Sequence, residues 1–102
     1  MNNFQTFIVS FYNQTSLLLE YINVDQAVED FGALHGRESV LGLHLDATAF
    51  QSSINKSSQI IDFVEEWGHG GFVWNEVTPE EWLQSVIDSS DAEAKRLLKE
   101  QY

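Results

Sequence analysis

Six consecutive residues, Val77-Thr78-Pro79-Glu80-Glu81-Trp82, constrain this chain more tightly than any other stretch. Thr78 carries the side-chain oxygen that an N-cap needs. Pro79 falls at the first helical position, where a missing N–H costs nothing. Glu81, three residues after Thr78, completes a capping box, and Val77 and Trp82 occupy the two positions of a hydrophobic staple. Four cues agree, so a helix begins here, with Trp82, Leu83, Val86 and Ile87 as its inward stripe. Ser90 to Glu93 forms a second capping box and predicts a separate last helix with Ala94, Leu97 and Leu98 inward. Asp91 and Glu93 at its start and Lys95, Arg96 and Lys99 towards its end suit the helix dipole.

Upstream, the pattern changes period. Phe4 to Tyr12 places Phe7, Val9 and Phe11 on one face, the alternation of a strand. Leu17 to Asn23 is a second apolar run, and Asn13-Gln14-Thr15-Ser16 between the two has turn chemistry, so a β-hairpin is predicted. A helix opening at Ser16 competes with it, because Leu18 and Ile22 also fit helical spacing. Ala27, Val28, Phe31 and Leu34 form one helical stripe, with Asn23 or Asp25 as cap and Gly36 as stop. Gly32 within it costs about 1 kcal/mol relative to alanine. Ser39 to Leu45, with Val40, Leu41, Leu43 and Leu45, reads as a central strand. Asp46 can cap a helix through Phe50 and Ile54, which the serine-rich stretch 52–58 interrupts. Ile60, Ile61, Val64 and Trp67 then restore helical spacing from Ser57 or Ser58 to Trp67, and Gly68-His69-Gly70-Gly71 stops it. Phe72 to Val77 is a short aromatic strand.

Residues 1–102 therefore read as a single acidic α+β domain of two layers, with about four strands and helices packed on one face, in the order ββαβαβαα. The length of 102 residues suits one core without staples, and the absence of cysteine excludes disulfides and thiolate chemistry. The first nineteen residues carry no charge, yet Ser10, Asn13, Gln14, Thr15 and Ser16 break the apolar run. With no basic n-region before it, that run is read as neither a signal peptide nor a membrane span, and the chain is placed in a cytoplasm-like compartment.

The reactive residues form no established catalytic pattern. His35, His44 and His69 lack the spacing of a zinc motif. His44 and Asp46 would share one side of a strand, and Glu66 and His69 stand three apart, but Gly68 between them ends the helix. Gly68-His69-Gly70-Gly71 resembles the oxyanion loop of serine esterases only in its His-Gly-Gly, because no Gly-x-Ser-x-Gly elbow accompanies it. No phosphate-binding glycine loop is present, so no cofactor or metal is implied. Glu29-Asp30, Glu65-Glu66 and Glu80-Glu81 are adjacent pairs, which diverge on a helix and make no acid–base dyad.

Charge carries more information. The chain holds 16 acids against 5 bases, a net of −11, which disfavours binding to nucleic-acid phosphates. Residues 20–93 reach −13, whereas residues 94–102 are +2. The stretch 62–81 holds Asp62, Glu65, Glu66, Glu76, Glu80 and Glu81 without a base, and Trp67, Trp74 and Trp82 lie in or beside it. Plain solubility and core packing account for such acids and tryptophans singly. Together they fit a surface that steers in a basic partner, with tryptophan as an interface anchor.

The leading expectation is a small protein-binding inhibitor of the immunity-protein, antitoxin or nucleic-acid-mimic type, blocking a basic protein such as a nuclease. Its contacts would be Asp62, Glu65, Glu66, Trp74, Glu76, Glu80 and Glu81. Two alternatives are a non-catalytic subunit or homodimerising adaptor that adds its first hairpin to a partner sheet, and a small hydrolase using His44, Asp46 and His69.

Overall fold

The computed structural model describes residues 2–11, 24–68 and 78–100. These residues form five helices and no strand: α1 (Asn3–Phe11), α2 (Val24–His35), α3 (Arg37–Ser53), α4 (Ser57–Gly68) and α5 (Pro79–Glu100). The α+β expectation is therefore overturned for two of its four strands, 4–12 and 39–45. The other two, 17–23 and 72–77, lie outside the described residues, as do the proposed turn 13–16 and the glycine stop beyond Gly68.

α1 is a helix because Phe4, Phe7, Ile8 and Phe11 recur at i, i+3, i+4 and i+7, and all four are buried. That stripe outweighs the alternation of Phe7, Val9 and Phe11. A reciprocal cap starts the helix: Gln5 N–H donates to Asn2 Oδ1 at 2.8 Å, and Asn2 N–H donates to Gln5 Oε1 at 2.8 Å. The Asn3 amide, another donor of the first turn, reaches Asp46 Oδ2 of α3 at 2.9 Å.

α3 replaces the expected central strand. Val40, Leu43 and Ala47 face inward, while Leu41 and Leu45 point out, 39% and 59% exposed. A helix apolar on both sides looks like a continuous strand when read by composition. Asp46 does not cap it; the residue sits mid-helix. Gly36 separates α2 from α3 with φ +89°, a region that residues with a Cβ rarely adopt. Its N–H closes α2 on the Gly32 carbonyl at 2.8 Å, and its own carbonyl accepts from Val40 at 3.2 Å to open α3. The stripe of α2 also differs from expectation. Ala27, Val28 and Phe31 are buried, but Leu34 is 71% exposed, and Gly32 takes an inward place. A Cβ at Gly32 would lie 3.0 Å from Val40 Cγ2 and 3.3 Å from Leu97 Cδ1, so glycine is what lets α2 approach α3 and α5 this closely.

α4 and the N-cap of α5 follow the sequence reading, while Val77 of the expected staple lies outside the described residues. In α4, Ile60 and Val64 are buried, with Phe63 and Trp67 partly so. Gln59 Oε1 caps its start, accepting from the amides of Asn55 at 2.8 Å and Lys56 at 3.0 Å. At α5, Thr78 Oγ1 accepts from Glu81 N–H at 3.1 Å, the expected N-cap. The expected break at residue 90 is absent. Ser90 is buried within one continuous helix, its hydroxyl donating to the carbonyls of Val86 at 2.7 Å and Ile87 at 3.0 Å. Leu98, expected inward, is 36% exposed.

α5 is the common wall. α3 lies antiparallel along it, tied by Gln51 to Gln84 at 3.0 Å and His44 Nδ1 to the Ile87 carbonyl at 3.0 Å. α2 runs parallel to α5, with Asp25 beside Ser89 and Gly32 beside Leu97. α1 crosses α3 and α4 and joins two aromatic nests. Phe4 stacks on Phe63 at 4.8 Å and Trp82 at 5.9 Å, and meets Phe50 edge-on at 5.5 Å. Phe7 and Phe11 meet Phe31 edge-on, at 5.6 and 6.3 Å.

Candidate partner-binding face

Burying Ile60 and Val64 turns the opposite side of α4 to solvent. Asp62, Glu65 and Glu66 all lie on that side and are exposed. Their spacing, i to i+3 and i+4, makes Asp62 a neighbour of both glutamates on the helix surface. Glu80 and Glu81 are exposed in the first turn of α5, where negative charge is favoured by the helix dipole. The Glu80 carboxylate accepts a hydrogen bond from the Ser57 hydroxyl, which joins the N-terminal ends of α4 and α5. Five of the seven expected contact residues are thus placed on exposed surface. Trp74 and Glu76 lie outside the described residues.

Both described tryptophans pack inward. Trp82 is 2% exposed and Trp67 is partly buried against the core, so both serve packing first.

None of Asp62, Glu65, Glu66, Glu80 and Glu81 forms an ion pair among the described residues. Two bases in the second half of α5 are engaged elsewhere. Lys95 pairs with Asp91 at 2.9 Å, and Arg96 holds Glu93 through two bonds of 2.6 Å. The Lys95 hydrogen bond holds the Asp91 carboxyl below its ordinary value; desolvation opposes it, and the charges of Lys95 and then His44 add to the lowering. Glu93, which the sequence pattern placed in a capping box at a helix start, is 5% exposed within the continuous helix.

Sequence reasoning missed a second acidic row. Asp25, Asp88, Ser85 and Ser89 line a shallow hollow of about 300 Å³ between α2 and α5. Beside it, Glu29, Ala92, Glu93 and Arg96 line another of about 260 Å³. The signal was weak because these acids are sixty residues apart in sequence, and only the parallel packing of α2 on α5 unites them. A third hollow, of about 420 Å³, lies at the α3–α4 turn over Ile54, Ile60 and Leu83, rimmed by Lys56 and Glu80. Ile60 and Leu83 are each 1% exposed, so its floor offers little apolar surface.

The hydrolase residues are not brought together. On a helix, His44 and Asp46 are about 200° apart instead of side by side. His44 Nδ1 is bonded to the Ile87 carbonyl, Asp46 accepts from the Asn3 amide, and His69 lies outside the described residues. No group of three or more His, Asp or Glu side chains among the described residues could hold a metal ion. The hairpin expected to extend a partner sheet also fails at its first arm, because residues 3–11 are helical with their apolar face buried. No helix among the described residues is long and apolar enough to cross a membrane. Compared with known protein families, with curated proteins and with solved structures, the chain has no match.

Proposed function

We propose that this protein binds and blocks a basic protein partner, in the manner of an immunity protein, an antitoxin or a nucleic-acid mimic. The supporting observation is the exposed run Asp62, Glu65 and Glu66 on α4 with Glu80 and Glu81 at the neighbouring start of α5, none of them in an ion pair among the described residues. Trp74 and Glu76, in the segment that links the two helices, complete the proposed contact set. A nuclease cleft attracts phosphate, and an array of carboxylates competes for the same field. Such attraction speeds encounter and is screened over about 8–10 Å by physiological salt. The analogy to these inhibitors rests on charge and size, and the cytoplasm-like setting belongs to the same proposal.

The test is titration calorimetry of the purified protein against purified nuclease domains with basic clefts, at low and at physiological ionic strength. The expected result is binding that weakens as salt rises and is lost in the triple variant D62N/E65Q/E66Q. Affinity indifferent to salt, or retained by the triple variant, would sink the reading. A folded protein that binds none of the domains at low salt returns these acids to a role in solubility.

A further inference from the structure

We draw no further inference here: the strongest candidate, the outward face of α3 that carries the exposed Leu41 and Leu45, is an unpartnered apolar patch, and nothing in the structure shows what covers it.

Discussion

Two of the acidic regions of this molecule, the second half of α5 and the outer side of α4, differ in what answers their charge. In the second half of α5, Asp91 and Glu93 are met by Lys95 and Arg96 one turn further along the same helix. On α4, Asp62, Glu65 and Glu66 face solvent without an ion pair among the described residues, and Glu80 and Glu81 open a helix at its positive end, with Lys56 on the rim of the same hollow as Glu80 but in no ion pair with it. The first region spends its charge on its own structure. The second keeps a standing repulsion, since like charges at i and i+4 oppose a helix by about 0.2–0.5 kcal/mol per pair. That repulsion is the part of the electrostatics that a basic partner could relieve.

The largest effect is expected where charge is both buried and answered. Arg96→Ala would strip the buried Glu93 carboxylate of its guanidinium and should cost about 1–3 kcal/mol in urea unfolding. A loss below about 0.5 kcal/mol would mean that the two regions differ less than their geometry implies. Next comes the start of α5. Thr78→Ala should remove about 1 kcal/mol by deleting the N-cap, and circular dichroism should show helix lost with it. An unchanged melting curve would show that the acidic end of α5 does not depend on this cap.

Smaller still is the response of α4. The variant D62N/E65Q/E66Q should leave stability unchanged or raise it by about 0.5 kcal/mol, through relief of like-charge pairs. If it destabilises by more than about 1 kcal/mol, those acids are structural and the contrast between the regions collapses. The finest comparison is one of pH. Because the folded-state value of Asp91 is lowered, its contribution is present above the ordinary carboxylate range and is lost as pH falls through the lowered value. Lys95→Met should move the Asp91 titration, followed by NMR, back up towards the ordinary range. A midpoint that does not move would assign the shift to another cause.

How much was legible in the sequence depended on which residues carried the signal. The start of α5 rests on contacts within five residues, and Thr78 caps Glu81 as its spacing requires. α4 was legible too, because its apolar residues lie on one side and its acids on the other. α1 carried a second capping pair, Asn2 with Gln5, that went unread although its spacing matches the one at Thr78. α3 hid its period because Leu41 and Leu45 make its outer face apolar as well. For the candidate face, the exposure of five acids followed from helix periodicity. The hollow between α2 and α5 did not, since Asp25 and Asp88 meet only through packing.

By itself the sequence determined the charge imbalance and the local stops and starts: the cap at Thr78, the polar turn before Ser57 and the glycine at position 36. These depend on neighbours along the chain, although the equally local capping box at Ser90 was overridden where the helix runs on and Ser90 is buried. The choice between strand and helix for the apolar runs 4–11 and 39–45 was settled by tertiary packing, with the local Asn2–Gln5 cap supporting the helix in the first. A short apolar run satisfies strand and helix alike, and the choice goes to whichever buries it. Here Phe4, Phe7, Ile8 and Phe11 find Phe31, Phe50, Phe63 and Trp82 from other helices, and the backbone becomes helical to hold them there.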